Sequence, residues 1–419
     1  MRGAAGTLSA EATAHGSGLP REPCLGSSTL RASRRQVVAS TLPARRKLST
    51  ATAAVAGGGW KVADLVGEMA VEWQHPLADN EIAELDSVVQ ALVARNPTGT
   101  EAWRTIFEQR PADQWRAAMS QMVPRTPALS CKLAGVTRTL VEGHGFALLR
   151  GIPTERYTRE ESAVACLAIG LELGLPVTQN GLGHLLGHVC DHGDDAADPA
   201  VRIYRTSERQ RFHTDSCDVV GLLCLAAAAE GGESSLASSL AIHEHMLRVA
   251  PRLAGALEAE LYWDRKGEVP PGKLPFYKGP VFNHHDGRVL TIYDRRFFDT
   301  ASRHDKVPPL DTEVKAALDL FEATAADEAF RFDMELAPGD LQLVHNHTVV
   351  HARNGFVDSA AHRRHLLRLW LSLDDGVGWA LPPAYSEGRY ANIDRSSGQP
   401  VGGIVAADGA GPTVPLHPV

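Results

Sequence analysis

Apolar residues between positions 60 and 135 return every three or four residues, as Ile82, Leu85, Val88, Val89, Leu92 and Val93 do. That interval predicts helix, with Asn80 as a cap and Glu81 and Glu84 in the first turn. Segment 145–150, Gly-Phe-Ala-Leu-Leu-Arg, is an unbroken apolar run stopped by Gly151-Ile152-Pro153, and predicts a buried strand. Residues 158–174 return to helical spacing, with Val164, Leu167, Ala168 and Leu171 on one side. From about residue 200 short strands take over, at 201–206, 219–227, 288–293, 340–350 and 365–373, interrupted by helices near 239–260 and 313–328. Many short strands separated by Gly and Pro predict a sandwich or jelly roll rather than alternating βαβ units. The chain shows no internal repeat.

Composition sets the class. At 419 residues, 44% hydrophobic and 22% charged, the chain can bury a full core. Its six cysteines form no CxxC pair and no regular framework, which argues against a zinc knuckle or a disulfide scaffold. Charge separates a leader from a body: residues 1–59 hold eight Arg or Lys against two Glu, a net of +6, leaving −14 for the rest of a chain whose net is −8. A leader rich in Ala, Ser, Thr and Arg, with Arg45-Arg46-Lys47-Leu48-Ser49-Thr50 near its end, has the composition of a transit peptide. A mitochondrial address is expected, with plastid, or cytoplasm and a plain disordered tail, as the alternatives. The acidic body argues against nucleic-acid binding, and no apolar run reaches the ~18 residues of a membrane span. A small-molecule substrate is the expected partner; homo-oligomer formation is left open.

Candidate chemistry begins with HxD, which occurs three times among 18 histidines. His192/Asp194 lies in an acidic loop, and His284/Asp286 precedes Gly287 in what reads as a hairpin turn. Only His213/Asp215 adjoins a long apolar run, starting at Val219. Residues two apart in an extended segment point the same way, so His213 and Asp215 can face one ion. Spacing alone leaves a metal pair and a hydrogen-bonded core pair both open. A third ligand must come from elsewhere. His345, His347 and His351 lie in one strand-like stretch, on one face by period two, and spacing does not choose among them.

Phe212-His213-Thr214-Asp215, Gly231-Gly-Glu-Ser-Ser, the run from Pro338 to His351 and Arg363-Arg-His-Leu-Leu-Arg-Leu-Trp-Leu371 resemble the taurine dioxygenase (TauD/TfdA) family of Fe(II)- and 2-oxoglutarate-dependent oxygenases, its eukaryotic clavaminate-synthase-like members most of all. The resemblance covers roughly residues 140–375. It implies a mainly β fold with flanking helices around a double-stranded β-helix, a cupin-like jelly roll. It also implies Fe(II), with 2-oxoglutarate and O2 as co-substrates, and oxidative decarboxylation to succinate and CO2 coupled to hydroxylation of a C–H bond of a small, anionic organic substrate. His213, Asp215 and His351 become the iron ligands, since the family's distal histidine ends an Asn-x-x-x-x-His stretch like Asn346 to His351. Arg364 takes the distal carboxylate of 2-oxoglutarate, which a planar, permanently charged guanidinium suits, with Ser234 beside it. Arg368 falls where sulfonate-using members hold their substrate anion. Residues 364, 366 and 368 share a face, so the two arginine roles can be exchanged. A carboxylate at 215 fills the place that a halogenase leaves to chloride, which disfavours halogenation.

Asn180, Tyr204, Tyr293 and Arg295 correspond to positions bordering the substrate space in the family; core packing for the tyrosines and surface salt bridges for the arginines are the competing readings. The expected organisation is a leader at 1–59, a helical extension at 60–135, the oxygenase domain at 136–385 and a tail at 386–419. Two other functions fit parts of the pattern: a non-catalytic jelly-roll binding protein, and a zinc hydrolase using the same His/His/Asp ligands.

Overall fold

The computed structural model describes residues 59–66, 72–180, 182–196, 201–267, 269, 272–373, 379–383, 385 and 411–418. Gly59 apart, the expected leader lies outside them. Two sheets form the centre. The larger runs in the order Gln74–Pro76, Phe146–Arg150, Leu341–His345, Val219–Ala226, His365–Ser372, Leu175–Val177, with Leu186–Val189 also pairing to His365–Ser372. The smaller runs Phe332–Met334, Ser234–Ser238, Val349–Arg353, Gln210–His213.

Alternation along each strand decides the layers. Phe146, Leu148, Val220, Val344 and Trp370 of the large sheet meet Leu236, Met334 and Val349 of the small one in a shared interior. Their neighbours Ala147, Leu149, Leu223, Leu343, Leu367 and Leu369 face the other way, onto the helices between Asp79 and Leu173. Ala237, Val350 and Ala352 turn outward beneath the helices Ser239–Val249, Pro251–Glu258 and Thr312–Ala326. The result is a jelly roll covered by helices on both sides.

The helix Arg159–Leu173 is buried all round because it lies between the sheet and the outer helices. A Cβ on its Gly170 would stand 2.2 Å from Leu369 Cδ2. Thr158 caps it: Thr158 Oγ1 accepts from Glu161 N at 3.2 Å, and the Glu161 carboxylate accepts from Thr158 N at 2.7 Å.

Expectation and structure differ at five places. The helix Asp79–Val93 is capped at Ala78, not Asn80, because the Glu81 carboxylate takes the Ala78 N–H at 2.8 Å. The helix Pro127–Glu142 crosses the expected 135/136 division, and the preceding helices share the core of the large sheet. The expected strand 201–206 is a 3-10 turn at Ile203–Arg205, with Thr206 Oγ1 donating back to Ile203 O at 3.0 Å. The expected strand 340–350 is two strands in different sheets, parted by a turn in which Thr348 N donates to His345 O at 3.2 Å. In the expected tail, Val414 is buried in the core and the Thr413 backbone bonds Gly183 and Leu185.

Candidate metal centre

His213 ends one strand of the small sheet and His351 lies directly opposite it on the next. Their rings stand 4.2 Å apart between centroids. Asp215 follows in a loop held from two sides: Thr214 N donates to Tyr293 O at 2.8 Å, and Asp215 N donates to Asn346 Oδ1 at 3.0 Å. The three side chains are only 6–7% exposed. Asp215 Oδ1 lies 3.8 Å from His213 Nε2 and its Oδ2 lies 3.7 Å from His351 Nε2. Those separations exceed hydrogen-bond range and suit atoms converging on one ion at about 2.1 Å each. Trp370 Nε1 donates to Asp215 Oδ2 at 3.2 Å, orienting the carboxylate.

His213 Nδ1 lies 2.9 Å from Arg211 O, as donor, which leaves the lone pair on Nε2. Gln210 Nε2 sits 2.9 Å from that same Nε2, a place an ion would take over. Burial pushes the His213 pKa down, favouring the neutral form that ligates metals. Two buried imidazoles and a carboxylate on one face of a jelly roll fit ferrous iron.

The turn at 346–348 separates the three histidines. His347 Nε2 bonds Asp218 Oδ1 at 2.8 Å, and Asp218 Oδ2 accepts Leu373 N at 2.7 Å, so His347 ties the turn to the end of the His365–Ser372 strand. His345 packs edge-on against Trp379. Of the three, His351 is the one whose Nε2 stands 3.7 Å from Asp215 Oδ2. A second group of potential ligands, His243, Glu258 and His284, differs in kind. There Glu258 Oε1 lies 2.7 Å from His243 Nε2 and 2.9 Å from His284 Nε2, distances of shared protons rather than of a shared ion.

The arginines separate along the interior. Arg368 Nη1 lies 3.8 Å from Asp215 Oδ1, its Nε donates to Gln179 Oε1 at 2.8 Å, and its guanidinium covers the Tyr204 ring at 4.5 Å. Arg364 is four residues away, packed on Phe356 and over Gly232, where a Cβ would come within 2.9 Å of its Nε. Burial pushes its pKa down to about 10. Ser234 Oγ donates across the sheets to Gln342 Oε1 at 2.8 Å, and its strand partner is Arg353.

Of the weaker candidates, Tyr204 reaches the site through Arg368, from the 3-10 turn rather than a strand. Asn180 does not reach it: its Oδ1 accepts Leu182 N and His184 N and shapes its own loop, while neighbouring Gln179 holds Arg368. Tyr293 is core, stacked on Phe321 at 4.1 Å. Arg295 turns outward to Asp299 and Asp319, each at 2.8 Å. Arg296 instead faces the centre, paired to Asp294 at 3.1 Å, with its charge felt at Asp215 and His213. The alternation of 295 and 296 could have been read only with the start of the helix Arg295–Asp299 known.

A sequence profile described as "Taurine catabolism dioxygenase TauD, TfdA family" matches residues 108–370. The chain is similar to FR-33289 synthase of Streptomyces rubellomurinus, 34% identical over 317 residues, 74% of this chain and 88% of that one. It is also similar to the taurine hydroxylase-like protein SAT17 of Stachybotrys chartarum, 31% identical over 279 residues, 63% and 70% of the two chains. In fold it resembles an asparagine oxygenase solved with Fe(II), 3-hydroxyasparagine and succinate, at TM-score 0.52 and 19% identity over 74% of this chain and 99% of that one.

Proposed function

This chain belongs to the taurine catabolism dioxygenase TauD, TfdA family and is an Fe(II)- and 2-oxoglutarate-dependent dioxygenase acting on a small molecule; we propose that His213, Asp215 and His351 hold its iron and that its substrate is a small organic anion. The observation that carries the ligand assignment is the 3.7–3.8 Å spacing of Asp215 from both imidazoles inside a buried interior. Ferrous iron bound there supplies the redox and dioxygen chemistry and keeps open positions for the co-substrate. The chain's own groups do the rest. Trp370 and Asn346 fix Asp215, while Arg364 takes the distal carboxylate of 2-oxoglutarate, joined by Ser234 when its hydroxyl turns from Gln342.

Arg368, held by Gln179 beside Asp215, sets a guanidinium next to the centre, which supports an anionic substrate group. A relative named for taurine, whose sulfonate is an anion, supports the same reading. A carboxylate at 215 favours hydroxylation over halogenation. The basic composition of residues 1–59 supports a mitochondrial address.

The test supplies the full chain with Fe(II), O2, 2-oxoglutarate and a panel of amino, sulfonic and phosphorylated small acids, and follows succinate. Substrate-stimulated succinate formation, with KM raised in Arg368→Gln, is expected. A neutral substrate turned over equally by wild type and Arg368→Gln would overturn the anion assignment.

A further inference from the structure

Arg353 follows His351 by two residues on the same strand, so both point into the interior while Val350 and Ala352 face the outer helices. Its side chain is as buried as that of Arg364, each residue being 6% exposed. Arg353 Nη2 donates to the carbonyls of Thr206 and Glu208. Its Nε and Nη1 have no hydrogen-bond partner among the described residues, and neither has Arg364 Nη1. The two guanidiniums pack on one ring, Phe356, at 4.9 and 5.3 Å from its centroid. No carboxylate forms a salt bridge with either among the described residues.

Two buried like charges with unused donors are strongly unfavourable unless an anion joins them. We propose that Arg353 is a second binding residue for the distal carboxylate of 2-oxoglutarate, closing with Arg364 a two-armed clamp. This rests on the co-substrate assignment above. The two-residue step from His351 to Arg353 spans about 6–7 Å along the strand, the reach of a five-carbon diacid chelated at its keto end. Nη2 is committed to the 206–208 backbone, so the orphaned Nε and Nη1 are the donors offered to the ligand. A lysine could not serve both, being a single point charge.

The experiment is an anaerobic titration of the Fe(II)-loaded chain, following the visible charge-transfer band of 2-oxo acid chelation. It compares 2-oxoglutarate with 2-oxobutyrate, which lacks the distal carboxylate. Arg353→Gln and Arg353→Lys should weaken 2-oxoglutarate binding by about ten- to hundredfold and leave 2-oxobutyrate binding within about twofold. Equal weakening of both 2-oxo acids would make Arg353 merely structural and overturn the clamp, as would unchanged 2-oxoglutarate affinity. In that last case Arg364→Gln would still weaken binding and the co-substrate assignment would stand. Absence of any band in wild type would overturn both.

Discussion

Asn346 Oδ1 accepts the backbone N–H of Asp215 at 3.0 Å, so the turn between two strands of different sheets directly holds the loop that carries the proposed carboxylate ligand. The same amide donates from Nδ2 to Cys217 O at 3.1 Å. Asn346→Ala removes the side-chain partner of both buried backbone groups. It should cost about 2–3 kcal/mol of unfolding free energy and lower Fe(II) affinity by about tenfold or more, read by urea denaturation and metal titration. Unchanged iron affinity would show that the loop holds itself.

Trp370→Phe keeps the apolar ring in the shared interior but removes the donor to Asp215 Oδ2. Iron affinity should fall by about tenfold while the cooperative unfolding transition is retained. An Fe(II) titration matching wild type would remove Trp370 from the centre.

Gly231 and Gly232 both hold positive φ, but an added Cβ meets different neighbours. At Gly232 it meets the end of the Arg364 side chain at 2.9 Å; at Gly231 it meets the Gly355 carbonyl at 2.4 Å. A side chain can shift and a backbone cannot. Gly232→Ala should fold and raise KM for 2-oxoglutarate by about tenfold, whereas Gly231→Ala should lose more stability, by at least about 2 kcal/mol. Thermal unfolding beside steady-state kinetics separates the two.

Burial pushes His365 down to about 4, helped by the charges of His188, Arg159 and His192. Its Nε2 lies 2.8 Å from His188 Nδ1, and His188 Nε2 lies 3.0 Å from Pro415 O. The unfolded chain takes up the proton near pH 6.5 and the folded one only near 4, so stability is full above 6.5 and falls between those values. The loss should reach about 2 kcal/mol by pH 4, allowing for partial exposure. His365→Phe should flatten that slope in pH-dependent denaturation; an unchanged slope would place the titration elsewhere.

Much of this was legible in the chain because alternation survives where a strand has two distinct buried faces. Val219–Ala226 and His365–Ser372 lie close to where their apolar runs predict, and the Asp286-Gly287 turn closes the hairpin between Phe282–His285 and Arg288–Thr291. The 340–350 stretch misled because the alternation runs on in phase across Asn346–Thr348, where one side-chain amide and one turn hydrogen bond redirect the chain to the other sheet. Period two could not show which histidine faced Asp215. Arg353 and Trp370 were illegible for a related reason: period two puts each on the interior face, and only the facing sheet reveals what it touches.

The central assignment is tested most directly by anaerobic equilibrium dialysis of the full chain against Fe(II), comparing the two His/His/carboxylate groups. Wild type and His284→Ala should retain one iron per chain, and Asp215→Ala and His351→Ala should fall to about a tenth of that at the same free iron. Iron kept by His351→Ala and lost from His284→Ala would contradict the account and move the metal to the other cluster.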